Sequence, residues 1–195
     1  MVSLGTEGSV PDGVKAHLLR SEQDPKPVVL MTCGVAGSGK STLAKAVAAT
    51  FPSFTRVSID HIIDSRHGIC GVDYPAEKYD EYMLEADDIY ESRFRQLLRD
   101  GKDVVLDRSF YAKADRDEFK AMAEEAGARW VLVYFKADKE LLWKRICERR
   151  SRGVNADSAL DISQVLLDAY VEGFEVPVGE GEIVIDVEEA ARSGS

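Results

Sequence analysis

The sequence predicts an α/β domain, three layers deep, in which a five-stranded parallel sheet is flanked by helices on both faces. Two observations predict it. Short, continuously apolar runs alternate along the chain with longer segments of helical period, the pattern of strands buried on both sides. The first apolar run, Val28-Val29-Leu30-Met31-Thr32-Cys33, passes through a glycine-rich loop into a helical pattern carrying Leu43, Val47 and Ala48. That is the strand–loop–helix unit from which parallel sheets are assembled.

The remaining elements follow in order. Residues 1–26 are rich in Gly, Ser, Asp and Pro; only 14–20 has the pattern of a short helix, and the rest reads as a mobile leader. The Lys26-Pro27 step opens the first strand, and 54–59 is the second. Residues 75–99 form a long helix with one apolar stripe running from Tyr79 through Tyr82, Met83, Ala86 and Tyr90 to Phe94 and Leu98. Asp100-Gly101 ends it, and 104–106 is the third strand. A helix over 112–126 stops at Gly127, 130–135 is the fourth strand, and Asp138 caps a helix reaching Arg150. After a loop over 151–158 come a helix over 162–174 and a last strand at 183–185. The expected organisation is a leader (1–26), one domain (27–190) and a short tail (191–195).

Composition narrows the classes of function. A chain of 195 residues suits one domain with a substantial core. No apolar stretch approaches the roughly 20 residues that span a bilayer, and the N-terminus lacks the charged-then-apolar order of a secretion signal. Cys33, Cys70 and Cys147 form neither a metal-binding pair nor a disulfide framework, and the three histidines have no zinc-ligand spacing. A reducing, cytoplasmic setting is expected. The formal net charge of −10 disfavours a polynucleotide partner, whose affinity usually comes from neutralised phosphates.

The loop Gly34-Val35-Ala36-Gly37-Ser38-Gly39-Lys40-Ser41-Thr42 matches G-x-x-x-x-G-K-[ST], the phosphate-binding P-loop. Its glycines free backbone N–H groups to converge on phosphate oxygens, and the helix behind it aims its positive end at the same anion. Gly34, Ala36, Gly37, Ser38, Gly39, Lys40, Ser41 and Thr42 are therefore the candidate nucleotide-binding residues. Lys40 is expected to reach the β- and γ-phosphates, and the Ser41 hydroxyl to ligate Mg²⁺.

Three further features carry chemistry. Asp60 follows the second strand, 20 residues after Lys40, at the end of the sheet where ligands bind. It suits a base that takes a hydroxyl proton, or alternatively the cap of the next helix, with Asp64 a competitor for either role. Asp107 ends Val104-Val105-Leu106, as in a Walker-B element that holds Mg²⁺; it could also orient an acceptor or initiate a turn before Ser109. Arg108 beside it could neutralise phosphate or pair on the surface. Lys144, Arg145, Arg149, Arg150 and Arg152 form the one concentrated basic cluster, at a helix–loop junction. It reads as a small basic lid over about 149–160 that closes on triphosphate, or as a solvated helix end complementing the helix dipole.

With those residues in view, the chain resembles the P-loop kinases that group polynucleotide 5′-hydroxyl kinases, zeta-toxin-like kinases and antibiotic phosphotransferases, of AAA_33 type, from about Val28 to Ile185. The resemblance implies the three-layer P-loop NTPase fold and ATP with Mg²⁺ as cofactors. It implies Lys40 and Asp60 as catalytic residues, Asp60 being the general base. Asp107 is implied at the metal or acceptor, Arg149 or Arg152 as the lid arginine, and Arg145 near adenine. The chain departs from the polynucleotide-kinase pattern: Ile59 and Ile63 flank the acid where those enzymes tend to carry basic residues, and 73–91 holds eight acids against Lys78 alone.

The expected activity is transfer of the γ-phosphate of ATP to a hydroxyl of a small molecule, with Tyr74, Tyr79, Tyr82 and Phe110 as pocket walls or core residues. Two rivals stand beside it. One is the same chemistry on a nucleic-acid 5′-end or a sugar nucleotide; the other is a nucleotide-dependent switch. Neither a guanine-reading NKxD run nor an ABC-type signature is present, which disfavours the switch. The expected partners are ATP and a small acceptor, with nucleic acid and membrane disfavoured; oligomeric state and acceptor identity have no motif.

Overall fold

The structure, a computed structural model, describes residues 9–153 and 160–187. Five strands form one all-parallel sheet in the order β2-β3-β1-β4-β5: β1 (Val28–Cys33), β2 (Phe54–Ser58), β3 (Asp103–Asp107), β4 (Arg129–Lys136) and β5 (Ile183–Asp186). The principal helices are α2 (Lys40–Thr50), α3 (Ile59–His67), α4 (Tyr79–Arg99), α5 (Lys113–Glu125), α6 (Lys139–Ser151) and α7 (Gln164–Gly173), preceded by the single turn α1 (Asp12–Lys15). The expected α/β architecture is thus the observed one.

The sheet is buried on both faces, as its continuous apolar strands require. Period-two alternation sends Val29, Met31 and Cys33 to one face, against Tyr90 and Phe94 of α4 and Phe119 of α5. Val28 and Leu30 turn to the other face and meet Leu43 and Val47 of α2. A third cluster, Leu142 and Ile146 of α6 with Ile162 and Leu167, packs against Val35 and Ala36 of the glycine-rich loop. The sheet therefore carries the loop, and α6 closes on it.

Several boundaries differ from the sequence expectation by a few residues, among them the following two. The second strand ends at Ser58, not Ile59, because the Ser58 hydroxyl accepts the His61 N–H at 3.4 Å and starts α3 there. The long helix begins at Tyr79, after a 3₁₀ turn over Ala76–Lys78.

The segment before β1 is expected as a mobile leader, yet much of it is packed. Val10, Val14 and Leu18 are at most 2% exposed and join the α2-side core with Leu30 and Val105. Arg20 fixes the end of the segment: its guanidinium pairs with Asp103 at 2.7 Å and donates to Gly101 O at 2.9 Å. Arg129 donates to Leu19 O at 2.8 Å. An i, i+4, i+8 apolar spacing carries this packing, which Gly/Ser/Pro richness obscures. Residues 1–8, the tail from 188 onward and residues 154–159 of the expected lid lie outside the described residues.

A buried ion network anchors the loop after β3. Arg116 is fully buried; its Nε and Nη2 donate to the Glu180 carboxylate at 2.9 and 2.7 Å, and Nη1 donates to Phe110 O at 2.9 Å. Lys120 Nζ reaches the same carboxylate at 3.1 Å. These bonds hold Phe110 at φ +45°, a left-handed conformation that a phenylalanine does not adopt unaided. The Arg116 hydrogen bond, helped by Lys120 and opposed by burial, pulls the Glu180 pKa down to about 2.

Two outcomes follow. Leu18→Ala lowers the unfolding free energy by about 2–4 kcal/mol in urea titration, as for a core leucine; a change near zero would return the segment to a loose leader. For Glu180 the depressed pKa means its contribution is complete above its ordinary value of 4.5 and is lost as pH falls from there toward about 2. Glu180→Gln, which strands two buried cations, costs about 3–5 kcal/mol at neutral pH. It also flattens the dependence of stability on pH in that acid window, read by denaturation at several pH values.

Candidate active site

The loop between β1 and α2 owes its shape to its glycines. Gly37 has φ +83° and Gly39 φ +109°, and a Cβ at Gly37 would stand 3.1 Å from Leu142 O and 3.2 Å from Ile146 Cγ1. Only glycine lets α6 approach so closely. The Gly34 N–H donates to Ser109 O at 3.0 Å, tying the loop to the turn that Arg116 holds. Gly39 caps α2 without a side-chain bond, so the first-turn amides face the loop's interior as donors for an anion. The buried Ser38 hydroxyl has no hydrogen-bond partner among the described residues. These features fit a polyphosphate.

Lys40 Nζ donates to Val35 O at 3.1 Å, across the loop it will serve. Burial lowers its pKa, the carboxylates of Asp107 and Asp60 raise it, and Arg149 lowers it again. Asp107, Asp60 and Arg149 thus each act on Lys40 at one end of the sheet, although the four come from β3, α3, α6 and α2. Asp107 is buried, and its Oδ1 accepts from Ser41 Oγ at 3.1 Å. Its Oδ2 accepts from Arg56 Nε at 2.9 Å and Nη2 at 2.5 Å. The Ser41–Asp107 oxygen pair suits a hard cation that keeps several waters and takes further oxygens from phosphate. Among the described residues no group of three or more His, Cys, Asp or Glu is gathered for an all-protein metal cage.

Asp60 lies in the first turn of α3, and Ser58 supplies the cap, so the alternative capping role for Asp60 is already filled. Its charge reaches three tyrosines. Tyr79 is shifted far up, first by burial and then by the Asp60 charge; Tyr74 rises to about 12, through burial, Cys70 and Tyr82 before Asp60; Tyr170 of α7 rises through burial, Tyr111 and then Asp60. The expected wall residues divide accordingly. The Asp60 charge reaches Tyr74 and Tyr79, and Tyr82 stacks on His67 with ring centroids 3.6 Å apart. Phe110 is fully buried and packs edge-on against Phe119, which makes it core.

The basic cluster also divides. Arg149 is the member whose charge acts on Lys40. Arg145 is half-buried on α6, and desolvation lowers its pKa. Arg152 is exposed at the C-cap of α6, where its N–H bonds to Arg149 O at 3.1 Å. Arg108, read as a phosphate or surface residue, pairs with Asp87 at 2.8 Å and lies over the Tyr90 ring at 5.8 Å. Thr42 is exposed on the first turn of α2 and Ala36 packs under α6. Arg56 is the residue that sequence reasoning missed. Its signal was the strand alternation that puts it on the Ser58 face of β2, beside the strand ending in Asp107.

Comparison with known proteins agrees with this geometry. The chain is 26% identical over 152 residues to the L-seryl-tRNA(Sec) kinase of Methanococcus maripaludis, an alignment covering 77% of this chain and 53% of that protein. It thus spans about half the length of that relative. A gluconokinase from Sinorhizobium meliloti 1021 superposes with a TM-score of 0.55 at 22% identity, over 86% of this chain and 88% of that one. A Chloroflexus aurantiacus J-10-fl crystal structure gives a TM-score of 0.67 at 17% identity, over 83% and 88%. These likenesses share the fold. Residues 29–177 match the AAA domain family AAA_33, which takes in the loop, Asp60, Asp107 and α6. With three quarters of its length inside that match, the chain belongs to the AAA_33 family of P-loop domains.

Proposed function

We propose that the protein is a kinase that moves the γ-phosphate of ATP to a hydroxyl group of a small molecule. One observation carries the reading: a carboxylate, Asp60, stands in the first turn of α3, just beyond the strand end level with Asp107, and its charge reaches the P-loop lysine. A P-loop that only stores nucleotide needs no base on the acceptor side.

In this reading the amides of residues 34–42 and the Ser38 hydroxyl cradle the phosphates. Lys40 exchanges its bond to Val35 O for the β/γ oxygens. Ser41 and Asp107 would hold Mg²⁺, which when bound would supply charge neutralisation. Asp60 accepts the proton of the acceptor hydroxyl as its oxygen bonds to the γ-phosphorus and the bond to the bridging oxygen of ADP breaks. Arg149 counters the charge on the moving group, with Arg152 the alternative from the end of α6, and Arg145 packs near the adenine ring. Residues 149–160 would act as the lid.

A hydroxyl borne on RNA is the second reading, and the named relative is what favours it. Against it stand the net charge of −10 and the acid-rich start of α4. No helix among the described residues is long and apolar enough to cross a membrane. The proposed setting is the cytoplasm.

Lys40→Ala abolishes transfer while circular dichroism and the melting temperature stay near wild type, because the side chain bonds to the loop and not to the core. Asp60→Asn retains ATP binding by calorimetry and loses about 10²–10⁴ in turnover; unchanged turnover removes Asp60 as the base. The acceptor class is decided by labelled ATP with a metabolite extract in one arm and 5′-hydroxyl oligonucleotides in the other. Label is expected in the extract alone. Robust oligonucleotide labelling, with affinity falling steeply in salt, overturns the small-molecule reading.

A further inference from the structure

The geometry points to Arg56 as the residue that keeps the metal site closed until nucleotide arrives. It is a positioning residue: by neutralising Asp107 and pinning one of its oxygens, it prevents the Ser41–Asp107 pair from taking a divalent cation alone. The inference rests on the nucleotide-and-metal part of the proposed function and is independent of any acceptor.

The guanidinium spends two N–H groups on a single oxygen, Oδ2, at 2.9 and 2.5 Å. Oδ1 is left to Ser41 Oγ at 3.1 Å. The Asp107 side chain is 3% exposed and that of Arg56 17%, so water screens the pair poorly. With Arg56 in place the charge of Asp107 is already matched by a guanidinium, and one of its oxygens is already used. A dication then meets one neutral hydroxyl and one carboxylate oxygen, beside a fixed cation. Hard divalent ions dehydrate reluctantly and need more anionic charge than that. A triphosphate supplies it, so metal and nucleotide enter together. The strand register enforces the arrangement: Arg56 pairs in register with Val105 and Ser58 with Asp107, so the arginine is built into the sheet neighbouring the acid.

The test uses Mn²⁺ as probe on the full chain, followed by electron paramagnetic resonance, first without nucleotide and then with a non-hydrolysable ATP analogue. Wild type is expected to hold Mn²⁺ at least tenfold more weakly without the analogue than with it. Arg56→Gln, which retains much of the volume and hydrogen-bonding capacity, is expected to gain at least tenfold in nucleotide-free Mn²⁺ affinity. Adding Asp107→Asn to that variant should erase the gain. Arg56→Lys preserves the charge and should stay near wild type, which a merely structural role for the guanidinium fork does not predict. Equal Mn²⁺ affinity in wild type and Arg56→Gln overturns the inference, as does a gain that survives Asp107→Asn. Should Arg56→Gln fail to fold, the wild-type arm still decides: tight nucleotide-free Mn²⁺ binding that Asp107→Asn removes refutes it. Each readout is metal binding, so absence of phosphoryl transfer to any acceptor would sink the kinase reading and leave this result standing.

Discussion

Asp107 sits where three strands come into line. Its Cα pairs with Thr32 on one neighbour and Ser58 on the other, so the ends of β1, β2 and β3 are level. Thr32 leads into the glycine-rich loop, Ser58 caps the helix carrying Asp60, and Asp107 itself receives Ser41 and Arg56. A shift of one residue in β3 would turn the carboxylate to the opposite face, into the aromatic packing of Tyr90 and Phe94. Parallel register thus does for this site what a cluster of neighbouring sequence positions cannot: it brings residues far apart in the chain level with one another.

The same strand face carries a second acid. Asp103, Val105 and Asp107 alternate with the apolar Val104 and Leu106, and the two acids stand at opposite ends of β3. Asp103 accepts the Val28 N–H at 2.9 Å and pairs with Arg20, so it fastens the N-terminal segment to the sheet. Both carboxylates are buried, and both take a guanidinium as partner. A buried acid without such a partner is expensive whatever its use. That requirement accounts for the arginines at 20 and 56 without any appeal to catalysis. What separates the two acids is the end of the strand they occupy, since only the carboxyl end opens toward the loops.

The strands and the P-loop were legible because both are local patterns: apolar runs bounded by turn residues, and a motif whose spacing encodes its own conformation. Asp60 and Asp107 were legible as acids at strand ends. The extent of α3 was not, because Ile59 prolongs the apolar run of β2 and hides the cap that Ser58 provides. Phe110 read equally as wall or core, and the choice depends on Arg116 and Glu180, which lie 64 positions apart. Arg56 carried no motif of its own; its partner becomes visible only when β2 and β3 are known to be adjacent. The packing of Val10, Val14 and Leu18 was masked by composition, which averages over the few apolar residues that matter.

The central position of β1 has a bearing on how the chain matures. Val29 pairs with Val104 and Val28 with Arg129, so the strand that bears the nucleotide loop gains its first sheet neighbour only once β3 has been made and its second only once β4 has. The loop's own supports come as late: Ser109, which takes the Gly34 N–H, and Leu142 and Ile146, which fill the space at Gly37. During synthesis the binding motif therefore leaves the ribosome early but acquires its shape late. A nucleotide therefore meets a loop whose supports, at Ser109 and on α6, come from the middle and the later part of the chain.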